Sequence, residues 1–288
     1  MKSTPSLSKP CSRRVAVRAV AAGAGLVAVG LPLAGTLDGL LVTPQRLETS
    51  DHSFGSPGPA GTRLRVVQLS DLHLSGFGPL EQAVLEQVHD SRADLIAITG
   101  DAIDRRRRLP ALELLLRELP RGPRILAIPG NWEHWSGIPL DTFARLYDRH
   151  GVELLVNRSV EIDKNGARVR VTGLDDLVGG TPDAAAALRD ARPAPHHLVL
   201  AHCPKARDTL VMPAEHPVSL LLCGHTHGGQ IAPFHVAVWR PWGSGRYLAG
   251  WYRDGGPPMY VSRGVGTSIV PMRIGSTPEL VRIDWSLG

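Results

Sequence analysis

The chain has 288 residues, 32 Lys and Arg against 27 Asp and Glu, 43% hydrophobic and 20% charged side chains. That composition excludes a disordered or fibrous chain, and one core can still grow to about 250 residues, so one large α/β domain with or without a tail is expected. Residues 1–63 hold seven Lys/Arg against three Asp/Glu. The rest is nearly neutral, and no nucleic-acid-coating surface is expected. Three cysteines, Cys11, Cys203 and Cys223, are too few for a disulfide framework.

In chain order, Lys2, Lys9, Arg13, Arg14 and Arg18 come first, ahead of a charge-free run of 19 residues, Ala19–Leu37. A basic stretch followed by an apolar one reads as a signal peptide or transmembrane anchor over residues 1–41. The Arg13-Arg14 pair resembles a twin-arginine export signal. The run is about the shortest that crosses a bilayer's hydrocarbon. Positive charges stay on the cytoplasmic side, which places the rest of the chain outside the cytoplasm, membrane-associated or exported. Residues 42–63, with Gly, Pro and Ser concentrated in Ser53–Gly61, are expected to be a linker.

From Leu64 to the C-terminus at residue 288 the pattern is that of an α/β domain, short β-rich runs alternating with segments of helical period. Leu64–Ser70 stops at Asp71-Leu72-His73, Asp94–Thr99 at Gly100-Asp101, and Arg124–Pro129 at Gly130-Asn131. Pro79–Ser91 and Pro110–Leu119 carry apolar residues at three- and four-residue spacing and read as the crossover helices of parallel units. Arg158–Ile162 and Ala167–Val171 flank an Asn165-Gly166 hairpin turn. Ala184–Ala191 is predicted to be helical. His197–Ala201 then ends in His202, and Val218–Cys223 ends in Gly224-His225-Thr226-His227.

Open α/β sheets bind ligands beyond the carboxyl ends of their strands, so these five ends should meet in one crevice. Imidazoles mixed with hard carboxylates suit Mn, Zn or Fe. One ion cannot use so many ligands, whereas two divalent ions sharing a carboxylate can, the arrangement used for phosphoester hydrolysis. In this order, Asp71-Leu72-His73, Gly100-Asp101, Gly130-Asn131, His202 and Gly224-His225-Thr226-His227 resemble the calcineurin-like metallophosphoesterases over roughly residues 64–285. The resemblance implies a four-layer α/β/β/α sandwich that hydrolyses phosphodiester or pyrophosphate bonds. It also implies that Asp71, His73 and His227 hold one metal, that Asp101 bridges, and that Asn131, His202 and His225 complete the second.

One position departs from the family pattern. The third motif usually reads Gly-Asn-His-Asp/Glu, its His being the proton donor to the leaving oxygen, and here Trp132 stands in that place. Either His134, two residues on, acts as the catalytic donor beside Asn131, or the leaving group is acidic enough to depart unprotonated, with Trp132 as an apolar wall of the substrate site. Gly228-Gly229-Gln230, Tyr260–Ser268, Pro271-Met272-Arg273 and Pro278-Glu279-Leu280 look like the membrane-associated bacterial branch, which includes phosphodiesterases and enzymes cleaving UDP-2,3-diacylglucosamine in lipid A biosynthesis. Arg263 or Arg273 is a candidate phosphate contact, the alternative being a solvated surface charge. The run Arg105–Arg108, which begins four residues past Asp101, is a candidate attractor of an anionic headgroup or else simply solvated. Asp175 and Asp176 either support the site or form an ordinary turn.

A phosphorylated small-molecule or lipid-linked substrate is therefore expected, with the membrane as a partner. The lipid A reading stands as an alternative, because UDP-sugar lipids are made on the cytoplasmic face of the inner membrane. A metal-binding scaffold that lost activity with the missing His is the alternative from another class.

Overall fold

The computed structural model describes residues 38–58 and 61–288. Most of the expected signal or anchor segment therefore lies outside the described residues, and among the described residues no helix is long and apolar enough to cross a membrane.

The fold is a mixed α/β arrangement of two six-stranded sheets. The first contains β1 (Glu48–Phe54), β2 (Arg63–Leu69), β3 (Leu95–Thr99), β4 (Arg124–Ile128), β5 (Val152–Leu154) and β12 (Glu279–Ser286), in the order β1-β12-β2-β3-β4-β5. Strands β2 to β5 run parallel, joined through α1 (Pro79–Asp90), α2 (Leu109–Glu118), and the pair α3 (Asn131–Trp135) and α4 (Leu140–Arg149). The second sheet has the order β10-β11-β9-β8-β7-β6, from β6 (Arg158–Lys164), β7 (Ala167–Gly173), β8 (His196–Leu200), β9 (Leu220–Cys223), β10 (Gly250–Tyr252) and β11 (Met259–Val261). Helices α5 (Ala184–Leu188) and α6 (Ala206–Thr209) belong to this half.

Central strands buried on both faces read as continuous apolar runs, and side-chain alternation divides them between two cores. In β2, Val66 points between the sheets with Leu95, Leu198 and Leu222, whereas Val67 packs outward with Ile96, Leu115 and Phe143. On the far face of the second sheet, Val199 and Leu221 meet Ala184 and Tyr247. Just beneath the strand ends a buried amide joins the sheets, Gln68 Nε2 donating to Thr99 Oγ1 at 3.0 Å and to the Cys223 carbonyl at 2.9 Å. The turn at Asn165-Gly166 has both residues at positive φ, 52° and 85°, as a two-residue hairpin between right-twisted strands requires.

The expected linker over 42–63 is corrected in part. Glu48–Phe54 is an edge strand, parallel to β12 and in register from Glu48 opposite Glu279 to Phe54 opposite Trp285. Its polar sequence, ETSDHSF, suits an edge with one face in water, which is why composition alone reads it as a tether. Phe54 stacks on Trp251 at 5.5 Å, and Arg282 holds Asp51 through a pair of hydrogen bonds at 2.7 and 2.8 Å.

Candidate metal centre

The polar residues that end β2, β3, β4, β8 and β9 meet at one edge of the two sheets, and Asp71, His73, Asp101, Asn131, His202, His225 and His227 are all buried there. Among the described residues two trios have ligand atoms close enough to hold a metal ion: Asp71, His73 and His227, and Asp101, His202 and His225. His73 Nε2 faces His227 Nε2 at 3.1 Å, and His225 Nδ1 faces His202 Nε2 at 3.2 Å. Asn131 Oδ1 lies 2.9 Å from His225 Nδ1, which adds it to the second trio. Asp101 Oδ2 stands 3.2 Å from His202 Nε2 and 3.6 Å from His73 Nε2, so this one carboxylate oxygen touches both groups.

Bringing the ligands together distorts the backbone. Asp71, His73, Asp101, His225 and His227 have φ of 51°, 39°, 56°, 72° and 51°, a region costing non-glycine residues on the order of 1 kcal/mol or more each. Such strain persists only where the surroundings fix it, and they do so through hydrogen bonds. Asp71 accepts from Ser70 Oγ at 2.6 Å and from the His225 N–H at 3.0 Å. Asp101 Oδ1 accepts the Trp132 N–H at 2.9 Å, leaving Oδ2 for the imidazoles. Glu133, also buried, accepts the N–H groups of Asp101, Ala102 and Gly130 at 2.9, 2.7 and 2.8 Å, tying the β3 and β4 ends together. The glycines ahead of two ligands follow from crowding: a Cβ on Gly130 would run into Asp101 Oδ1, and one on Gly224 into Ser70 and Asp71.

Partners behind the ligands set the imidazole tautomers. His202 Nδ1 lies 2.8 Å from the Thr99 carbonyl and His225 Nε2 lies 2.8 Å from the Trp242 carbonyl. A carbonyl only accepts, so those nitrogens carry protons, and in the neutral rings His202 Nε2 and His225 Nδ1 turn lone pairs inward. Burial lowers the pKa of His73 to about 3 and of His225 to about 4, and holds His227 well below its ordinary value. Burial pushes Asp101 up to about 7. At His202 burial is outweighed by the Asp101 carboxylate, and its pKa rises. His73 and His227, neutral imidazoles facing one another at 3.1 Å, repel unless a proton or cation lies between them, so this donor set fits divalent metals.

The other sequence candidates divide. Trp132 and Arg105 line a cavity of about 1040 Å³ that is lined also by His73, Arg107 and Arg108. Trp132 is buried and meets His73 edge-on, ring centroids 5.9 Å apart. His134 does not line this cavity. Its Nε2 is 2.7 Å from Asp175 Oδ1, and although burial opposes its charge, the hydrogen bond to Asp175 raises its pKa.

Arg263, the other candidate phosphate contact, does not line the cavity: its Nη2 donates to Glu279 at 3.4 Å and to Glu48 at 3.0 Å, the latter on β1, the strand that composition conceals. Arg273 is fully buried, neither solvated nor in the cavity. It donates to the carbonyls of Arg263, Gly264, Gly266 and Ser276 and faces His227 Nδ1 at 3.3 Å, and burial lowers its pKa to about 9. Asp176 accepts from the Val178 and Gly179 N–H groups and from Cys203 Sγ, closing a turn beside the second trio. Sequence reading misses Glu133, whose only signal is the acidic fourth place of the third motif, and the Thr99 and Trp242 carbonyls, which leave no signal at all.

Comparison with known proteins agrees with this geometry. The profile of the calcineurin-like phosphoesterase family matches residues 64–229. The chain is 33% identical over 246 residues to the uncharacterized metallophosphoesterase YkuE of Bacillus subtilis (strain 168), covering 82% of this chain and 85% of that protein. It is 29% identical over 227 residues to the phosphodiesterase YaeI of Escherichia coli (strain K12), covering 76% and 81% respectively. A Bos taurus transmembrane protein with metallophosphoesterase domain is 29% identical over 78% of this chain and 53% of that protein. Among solved structures, a 5'-nucleotidase precursor from Thermus thermophilus overlays with a TM-score of 0.46 at 14% identity, over 78% of this chain and 54% of that one, a likeness too remote to bear on substrate.

Proposed function

From the premise that this chain belongs to the calcineurin-like phosphoesterase family and is a metallophosphoesterase, we propose that it hydrolyses a phosphodiester or pyrophosphate bond at a dinuclear centre of manganese, zinc or iron. Asp71, His73 and His227 hold one ion in this reading, Asn131, His202 and His225 the other, and Asp101 serves both. The observation that supports it is the contact of Asp101 Oδ2 with His73 and His202 while Oδ1 is occupied by the Trp132 N–H. Two bound cations lower the pKa of water and neutralise charge on the phosphoryl oxygens.

The chain's own residues do the rest. Asp71 and Glu133 fix the strand ends, and the carbonyls of Thr99 and Trp242 hold the ring tautomers that offer lone pairs to the ions. The cavity receives the substrate. Its wall combines Arg105, Arg107 and Arg108, suited to an anionic group, with Leu40, Phe77 and Val270, suited to an apolar one. This mixture favours an amphiphilic, lipid-linked substrate; a UDP-diacylglucosamine, the pyrophosphate case, belongs to the alternative in which the domain lies on the cytoplasmic face. The basic N-terminus followed by Ala19–Leu37 supports membrane association with the domain on the extracytoplasmic side.

Trp132 offers no titratable proton, so the site should prefer good leaving groups. The test is metal content together with rates on a series of aryl and alkyl phosphodiesters and nucleotide pyrophosphates, for the parent and for Trp132→His. A steep dependence on leaving-group pKa that Trp132→His flattens is expected, general acid catalysis being worth ~10²–10⁴-fold. A flat dependence in the parent that Trp132→His leaves unchanged would assign the proton to another group, with His134 first to examine. No turnover with two ions bound would leave a metal-binding scaffold.

A further inference from the structure

We infer that the outer rim of the cavity is a bilayer-docking face, so that the site opens directly onto lipid. The inference rests on the membrane-associated placement proposed above and adds which surface meets the membrane.

Three separate segments present large apolar side chains to solvent. Leu41 and Val42 lie at the start of the described chain, Phe234 and Val236 are at the tip of a loop after the His-x-His motif, and Ile269 is in a turn before Arg273; Phe234 is 96% exposed, Val236 69% and Leu41 68%. The first two are fastened to the stretch that carries the third, residues 268–275. The Gly39 carbonyl accepts the Arg273 N–H at 2.8 Å. Ile274 forms a bridge with Ile231, and its carbonyl accepts the Ala232 N–H at 2.7 Å. The Gln230 side chain closes the turn around Ile269, donating to the Ser268 and Val270 carbonyls and accepting the Ser268 N–H. Leu40 and Ile269 also line the cavity together with His73, so two of the three segments border its opening, and the loop of Phe234 and Val236 is tied beside them through Ile274.

The loop tip is built to stay out. Phe234 and His235 have φ of 56° and 63°, held by tight turns in which the N–H groups of His235 and Val236 return to the carbonyls of Ala232 and Pro233. An aromatic ring kept in water on a strained backbone is unfavourable for a chain with no apolar partner for it.

The occupant follows from where the chain enters this face. The charge-free run ends at Leu37, four residues before Leu41. At ~3.6 Å per residue at most, Leu41 lies within about 15 Å of that end. A run of that length is about what bilayer hydrocarbon accepts, and if it is so placed the rim is forced to the lipid surface. Arg105, Arg107 and Arg108 on the cavity wall complement anionic headgroups.

The test uses the full chain in mixed phosphatidylcholine and phosphatidylglycerol vesicles, with Cys11→Ser to leave only the buried Cys203 and Cys223. A fluorophore is attached at Phe234→Cys, or at Arg121→Cys in the exposed loop ahead of β4, at the amino ends of the strands and away from the site. Quenching by nitroxide-bearing lipid at 234 and not at 121 is expected. Phe234→Asp with Val236→Asp should raise KM about tenfold for hexadecyl 4-nitrophenyl phosphate carried in vesicles and leave bis(4-nitrophenyl) phosphate in solution unaffected. Protein that sediments with vesicles but is unquenched at 234 overturns the docking face and spares the membrane reading. Protein that stays in the supernatant overturns both. Shielding at 234 without vesicles, in a sedimenting dimer, gives the face to a second copy and overturns the inference.

Discussion

At the metal centre Asp71, Asp101 and Glu133 accept backbone N–H groups from the ends of β3, β4 and β9, and all seven ligand-type side chains are buried. On the outside Leu41, Phe234 and Val236 face solvent on segments joined through backbone contacts to residues 268–275. The first region is saturated with internal partners and strained at five ligand positions, as a preorganised polar centre requires. The second lacks apolar partners and is strained at a loop tip, as a surface waiting for a partner would be. Strain at an active centre and strain at a surface thus read differently according to whether the side chain that it positions is satisfied inside the molecule.

The largest expected effect breaks the inner region at its shared atom. Asp101→Asn keeps the Trp132 contact but replaces a charged oxygen serving two ions with a neutral amide. Activity should fall by more than the ~10–100-fold typical of outer-shell changes, with metal content reduced at both positions and the thermal midpoint little altered. Unchanged turnover at full metal occupancy would remove the site assignment. Glu133→Ala comes next and separates support from chemistry. Three buried N–H groups lose their acceptor, at about 1–3 kcal/mol each before water enters, so a loss of about 3–5 kcal/mol in urea unfolding is expected, with Glu133→Gln recovering part of it. A loss below about 1 kcal/mol would mean that the strand ends hold themselves.

The same contrast governs what is legible in the sequence. The seven buried ligand-type residues are readable because each follows an apolar strand, and the glycines before Asn131 and His225 occupy places where a Cβ collides with Asp101 or Asp71. β1 is not readable, since an edge strand with one wet face, ETSDHSF, has no apolar period to detect. The fate of Arg263 is hidden with it, because its partner Glu48 lies on that strand. Arg273 defeats sequence reasoning for a different reason: five hydrogen bonds to carbonyls from scattered positions make burial of a guanidinium tolerable, and backbone carbonyls carry no residue identity. The exposed rim residues are equally opaque, since Phe234 and Val236 read as ordinary apolar positions until the loop is seen to turn them outward.

The smallest expected effect sharpens the boundary of the inner region at His134, which sequence offers as a proton donor and the structure pairs with Asp175. The charged state of the pair is worth roughly 1 kcal/mol if it behaves as a partly exposed ion pair. Its pH dependence follows from the two shifts. Burial opposes the His134 cation but the bond to Asp175 prevails and raises its pKa, so its contribution is complete below about pH 6.5 and is lost as pH rises through the raised value. Burial opposes the Asp175 anion but the bond to His134 prevails and lowers its pKa, so that contribution is present above about pH 4 and is lost as pH falls through the lowered value. His134→Gln, which keeps a donor but not the charge, should therefore cost most near pH 5.5 and progressively less toward about pH 9 in urea unfolding. If the pair only positions α3, rates across the leaving-group series keep their slope in this variant. A steepened slope, with the stability difference constant in pH, would instead give His134 the proton that Trp132 does not carry.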